Sequence, residues 1–202
     1  MLTRRESSSL FPRTNFLTVL TSDEEFYVLC SDFGEDSSPL IVRPFSKIDS
    51  VPEITELLHL AYAEWKDAGL QFTACDQDDA KTLHRLTEGT AWLAEVDGRL
   101  IGTIALIPGR ESHELPYYRR DGLFFFSQFG IHPDFKGQGF GKMLYEVAET
   151  HARDLGGQEI ACDTSIRATR LVQLYTAWGF AEVAHHDWNF TNYISVVLAK
   201  QL

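Results

Sequence analysis

The segment Ile131-His132-Pro133-Asp134-Phe135-Lys136-Gly137-Gln138-Gly139-Phe140-Gly141-Lys142 constrains this chain more than any other. An apolar strand, Leu123 to Ile131 with the run Phe124-Phe125-Phe126, leads into it. Pro133 cannot donate to a sheet ladder, so regular pairing stops there. An amphipathic helix leads out from near Gly139. Its apolar positions Phe140, Met143, Leu144, Val147, Ala148 and Leu155 follow the i, i+3, i+4 spacing of one buried stripe. Gly156-Gly157 ends it. In between, three alternate glycines open a loop whose backbone N–H groups can converge. The unpaired N–H groups and dipole of the helix start add positive partial charge there. A turn alone needs fewer glycines, since each adds unfolded-state entropy. The segment reads as an anion cradle for a phosphate-bearing ligand.

Two common phosphate loops fit poorly. A Walker A loop needs Ser or Thr after Gly-Lys, and Met143 follows Gly141-Lys142. A Rossmann turn needs G-x-G-x-x-G directly after its strand, whereas residues 132 to 136 intervene here. Asp163 falls roughly where a ribose-binding acid would stand, but too little chain follows to complete a doubly wound sheet.

The segment resembles motif A of the GNAT superfamily of N-acetyltransferases, Val-x-Pro-x-x-[Arg/Gln]-x-x-Gly-x-[Gly/Ala]. Ile131 stands at the valine, Pro133 at the proline, Lys136 at the Arg/Gln position, and Gly139 and Gly141 at the small positions. Lys136 departs from the pattern but keeps a cation. The stretch Leu174-Tyr175-Thr176-Ala177-Trp178-Gly179-Phe180 resembles motif B, Leu-Tyr-x-x-x-Gly-Phe. The resemblance covers roughly Leu40 to Leu202. It implies acetyl-CoA as cosubstrate, with the pyrophosphate on Lys136, Gly137, Gln138, Gly139, Phe140, Gly141 and Lys142. It implies pantetheine pairing along Phe129, Gly130 and Ile131, and Tyr175 as the acid for the leaving thiolate. Two family features are absent. Ala168 replaces an Asn before the tyrosine, and Phe125 replaces a glutamate on the central strand. Glu95, on a neighbouring strand, is the first substitute for that base; His132, Glu114 and a water chain are others.

The remaining pattern supports an α/β order. Leu40–Pro44 reads as a strand, Val51 to Trp65 as an amphipathic helix, and Asp78 to Glu88 as a shorter one. Ala91–Val96 and Leu100–Leu106 flank Asp97-Gly98, a strong hairpin signal. Pro108 to Gly122 reads as a polar loop. A short strand from Gln158 to Asp163, a helix from Arg167 to Trp178, and strands near 180–187 and 193–198 complete the chain. The resemblance implies a GNAT-like central, mixed but mostly antiparallel twisted sheet of about seven strands flanked by helices, splayed where the cofactor enters. Residues 1–38 lie outside that pattern, leaving 39–202 as the acetyltransferase domain. Phe16–Leu20 and Phe26–Phe33 read as an extra β-hairpin around Ser22-Asp23-Glu24, followed by the linker Gly34 to Pro39.

Composition narrows the partners. The 202 residues carry 29 acidic and 18 basic side chains, for a formal net charge of -11. That balance argues against non-specific nucleic-acid binding and against anionic membranes. Three cysteines without C-x-x-C spacing, Cys30, Cys75 and Cys162, suggest a reducing compartment with no disulfide or zinc. His185-His186-Asp187 is not a metal site, because neighbours on a strand face opposite ways. Asp76, Asp78 and Asp79 read as a solvated helix start. With no transmembrane run or signal core evident, the expectation is a cytoplasmic enzyme without metal. The GNAT resemblance implies a small-molecule or peptide amine as acceptor, between the first helices and the last strands, with the loops 69–78, 108–122 and 185–193 around it. Trp65, Phe72 and Trp188 read either as its walls or as ordinary core packing. Free sheet edges could support a homodimer. Two alternatives stay open: a non-catalytic acyl-CoA sensor, favoured by Phe125 and Ala168, and a nucleotide-binding enzyme of another class.

Overall fold

The computed structural model describes residues 14–20, 25–31 and 39–202 of the chain. Nine strands form one sheet in the order β1-β2-β3-β4-β5-β6-β7-β9-β8. They are β1 (Thr14–Leu20), β2 (Glu25–Ser31), β3 (Leu40–Pro44), β4 (Thr90–Val96), β5 (Arg99–Pro108), β6 (Leu123–Ile131), β7 (Glu159–Ser165), β8 (Ala181–Asp187) and β9 (Ile194–Gln201). Every neighbouring pair is antiparallel except β6 and β7. The last seven strands form the mixed GNAT-like sheet. The extra hairpin β1–β2 extends its edge by pairing Tyr27, Val28 and Leu29 of β2 with Val42, Ile41 and Leu40 of β3. The turn at 22–24 and the linker at 34–38 lie outside the described residues.

The helices are α1 (Val51–Asp67), α2 (Asp79–Leu86), α3 (Phe140–Asp154) and α4 (Thr169–Ala177). Ser50 caps α1 by accepting from Glu53 N–H, and Asp78 caps α2 by accepting from Lys81 N–H at 2.7 Å. Asp78 is thus a helix start, as its position suggested. Strand alternation splits the core between two faces. On one face Met143, Leu144, Val147 and Ala148 of α3 pack with Trp92, Ile104 and Phe126. On the other, Ile54 and Leu58 of α1 and Leu86 of α2 pack with Leu93 and Ala105. Each fully buried large apolar side chain contributes roughly 1.5–3 kcal/mol. The hairpin β4–β5 turns at Asp97 (φ +52°) and Gly98 (φ +71°), the left-handed pair a tight two-residue turn requires.

Residues 108–122 correct the expectation of a polar loop. Leu115 and Tyr118 are buried there, and the Tyr118 ring stacks on Phe125 at 4.2 Å. A short 3-10 turn at Pro116–Arg119 supplies the geometry. Scattered apolar residues without helical or strand period gave no sign of it.

The feature that positions the site is a split in the sheet. β6 pairs with β7 only through Leu123–Phe125 against Glu159–Ala161, while on its other side it stays on β5 as far as Ile131. An extra residue on β6 shifts the register opposite Thr103–Ala105, and Gln128 there takes a left-handed φ of +51°. A buried amide pair braces this bulge. Gln77 Nε2 donates to Gln128 Oε1 at 2.8 Å and Gln128 Nε2 donates back at 3.2 Å. Gln77 also donates to Thr82, to which Thr55 donates in turn.

Candidate active site

α3 begins at Gly139, whose φ of +84° only glycine adopts at little cost. The first helical backbone bond runs from Met143 N–H to Gly139 O at 3.1 Å. Among the described residues, the amides of 137 to 142 make no backbone bond that would consume them. A Cβ on Gly137 would meet nothing within 4 Å, so the space in front of the loop is open. Unused donors, a helix start and open space fit a diphosphate. Gly137, Gly139, Gly141 and the side chains of Lys136 and Lys142 line one groove of about 1160 Å³. Phe129, Gly130 and Ile131 line the same groove, as do Tyr175 and Trp178. Gln138 and Phe140 do not. The Gln138 amide instead caps Asp134 O at 3.1 Å, and the Phe140 ring packs beside the core.

The β6 edge facing the split is free of β7. His132 N–H donates to Ile101 O of β5 at 2.7 Å. Strand alternation therefore turns the N–H and C=O of Ile131 the other way, into the groove. Tyr62 of α1 donates its hydroxyl to Phe129 O at 3.0 Å, which ties helix to bulge. Gly130 lets the two approach, since a Cβ there would sit 3.0 Å from Ala61 Cβ.

The cations of the groove are partly engaged. Lys136 Nζ donates to Ala61 O at 2.8 Å and to Glu64 at 2.7 Å. Arg170 of α4 bonds the other oxygen of Glu64 and lies over the Trp65 ring. Burial pushes the Glu64 carboxyl up, but Lys136 and Arg170 outweigh that and hold it below the usual range. Lys142, held near Glu146 and over Tyr145 and Trp178, is lowered by burial.

A second cavity of about 350 Å³ opens on the far side of the bulge. Its walls include Phe72, Arg85, His113, Asp163 and Trp188. Tyr62, Phe129 and Tyr175 line both spaces, so groove and cavity meet at these three residues, Tyr175 among them. The Tyr175 ring is held edge-on by Phe126 and Trp178, with Phe180 tilted against it. Burial raises its hydroxyl pKa well above the ordinary value. The group stays protonated at neutral pH and keeps its proton available to donate.

Glu95 is a correction. It lines neither space; it stands on β4, with β5 between it and β6, and accepts from Arg43 Nε at 2.9 Å. Strand order alone put it beside the centre; the sheet order puts it one strand too far. His132 is also outside, bonded to Arg99 and to the amide of Asp134. Glu114 lines the second cavity from an exposed position. Phe125, at the place of the missing glutamate, is covered by Tyr118 and His113. Phe72 and Trp188 line the second cavity, but Trp65 lines the groove. Among the described residues no group of three or more His, Cys, Asp or Glu side chains could hold a metal ion, and no helix is long and apolar enough to cross a membrane.

Sequence reasoning missed Arg85, Gln128 and the anchoring role of Tyr62. It noticed Asp163 only as a ribose ligand. Asp163 in fact accepts from Tyr118 at 3.2 Å, Trp188 Nε1 at 3.0 Å and Ser195 at 2.9 Å. Arg85 sits on a helix whose polar face gave no hint of a cavity. Only the Gln128 bulge had a local signal, the Gly130 just after it.

Comparison with known proteins agrees with this architecture. The model of the acetyltransferase (GNAT) family matches residues 52–180. The chain belongs to the GNAT family of acetyltransferases. Its curated relatives include the S-(2-succino)cysteine N-acetyltransferase of Bacillus subtilis, 27% identical over 155 residues, 74% of this chain and 89% of that protein. They also include the mouse probable N-acetyltransferase family 8 member 5, 28% identical over 128 residues and 63% of this chain. That match spans only 54% of the mouse protein's length. A GNAT family acetyltransferase from Elizabethkingia anophelis with acetyl-CoA bound shares the fold at TM-score 0.60 and 18% identity, covering 83% of this chain and 100% of that one. The yncA putative acetyltransferase from Salmonella typhimurium, with its cofactor acetyl-CoA, matches at TM-score 0.60 and 20% identity over 81% of this chain and 94% of that one.

Proposed function

We propose that this protein transfers an acetyl group from acetyl-CoA to a primary amine, directly, within one ternary complex. The observation that carries this reading is the meeting of groove and cavity at Tyr175. Acetyl-CoA supplies an activated thioester. The amides of 137 to 142 bind its diphosphate, and the free edge of β6 from Phe129 to Ile131 guides the pantetheine arm to the bulge. The amine enters through the second cavity. Holding both partners replaces a costly bimolecular encounter. The amine lone pair attacks the carbonyl carbon, the C–N bond forms and the C–S bond breaks. An unpaired β6 amide at the bulge stabilises the carbonyl oxygen as charge develops. Tyr175 protonates the leaving sulfur, and its hydroxyl recovers a proton from solvent.

Glu88, Asp163 and His113 do not offer the amine a free base. Glu88 accepts from Arg110 at 2.8 Å, and Asp163 already holds three donors. His113 Nδ1 accepts the Leu115 amide at 3.1 Å, so the neutral ring carries its proton on Nε2 and offers no lone pair there. Burial lowers the His113 pKa and keeps it neutral. The amine therefore enters neutral, and its proton leaves through water past Glu114.

The test is free-thiol release from acetyl-CoA with a panel of primary amines, with the acetylated product confirmed by mass. Amine-dependent release supports the reading. CoA binding without turnover of any amine would favour the sensor, for which the covered Phe125 speaks.

A further inference from the structure

Arg85 projects from the last turn of α2 into the second cavity and is only partly exposed. Among the described residues its guanidinium makes no hydrogen bond or ion pair. The other cations of that cavity differ. Arg110 is bonded to Glu88 at 2.8 Å, His84 stands 3.9 Å from the same carboxylate, and Lys81 is exposed to water. Burial pulls the Arg85 pKa down, and Asp163 and Glu88 act on it only at longer range. Asp163 does not quench it, since its three bonds come from Tyr118, Trp188 and Ser195. A part-sheltered guanidinium whose donors no group among the described residues takes up is available to a ligand, and its planar fork matches a carboxylate.

We propose that Arg85 binds the carboxylate of the acceptor, and that the acceptor is a small amino acid acetylated on its amine. The proposal rests on the acetyltransferase reading above and extends it to the substrate. Both functional ends fit one cavity of about 350 Å³, the size of a small-molecule site. The amine lies at the Tyr175 junction and the carboxylate reaches Arg85. Asp163 has used about three of its roughly four acceptor sites, so one remains for an amine N–H. Phe72, Trp188 and Phe190 supply an apolar wall for the side chain. A protein N-terminus lacks the free α-carboxylate that a single amino acid presents next to its amine.

The experiment compares each of the standard amino acids with the amine left by removing its carboxyl group, on the full chain with acetyl-CoA. The expected result is that the preferred amino acid exceeds its decarboxylated partner in kcat/KM by about 10- to 100-fold, the scale of a charged hydrogen-bond pair. Arg85→Ala erases that preference and leaves CoA affinity and melting temperature unchanged, while Arg85→Lys keeps part of it. Turnover indifferent to the carboxylate, or a preference that survives Arg85→Ala, overturns the proposal and leaves the transferase reading standing. No turnover of any amine sinks both.

Discussion

The groove and the cavity on either side of Tyr175 are built by opposite means. The groove uses backbone: unused amides from 137 to 142, a helix start, and the free edge of β6. The cavity uses side chains brought from α2, β7 and the segments near 113 and 188. Backbone donors do not change with side-chain identity, so the same groove can serve any acceptor. A cavity of side chains can be re-cut by substitution without disturbing the cradle. One fold thus holds the acetyl donor constant while the acceptor varies.

Three variants probe that division. The largest expected effect is on the backbone side. Gly141→Asp places a carboxylate among the amides without a positive φ to strain, since a Cβ there meets Ile131 at an ordinary 3.4 Å. CoA affinity should drop at least about 100-fold, the loss of two or more charge-assisted hydrogen bonds. Calorimetry together with a melting curve checks it; a folded variant with wild-type affinity breaks the comparison. At the junction, Tyr175→Phe should cut kcat by about 10- to 100-fold and leave CoA affinity nearly intact. Burial raises the Tyr175 pKa, so the required protonated form persists above the ordinary value of about 10. The wild-type rate should therefore rise with pH as the amine becomes neutral, with no decline through ordinary tyrosine titration. An early alkaline decline in wild type that Tyr175→Phe lacks would show a lower tyrosine pKa. The smallest effect belongs to Glu64. Glu64→Gln frees Lys136 and Arg170 and removes a negative charge from the groove, so CoA affinity should rise about two- to fivefold at low salt. Weaker binding would mean that Glu64 organises the cations rather than competing for them.

The same division explains what the sequence disclosed. Motif A packs its residues into a dozen consecutive positions, so the strand–loop–helix they form was readable directly. The helix start at Asp78, the stop at Gly156-Gly157 and the Asp97-Gly98 turn were readable because their chemistry is local. The cavity was not, because Arg85, His113, Asp163 and Trp188 are far apart in the chain and meet only when the sheet splits. Glu95 failed for the same reason. A neighbouring hairpin strand in sequence became, in the sheet, a strand screened from the gap by β5. Lys136 was readable as a cation, but not that it would spend its charge on Glu64.

The most direct test is a backbone amide NMR titration with CoA, followed by the preferred amine. At saturating CoA the amides of Gly137 to Lys142 and of Phe129 and Ile131 should shift together, while those around Arg85 and His113 move only once the amine is added. Unmoved glycine amides in the saturated complex would contradict the account.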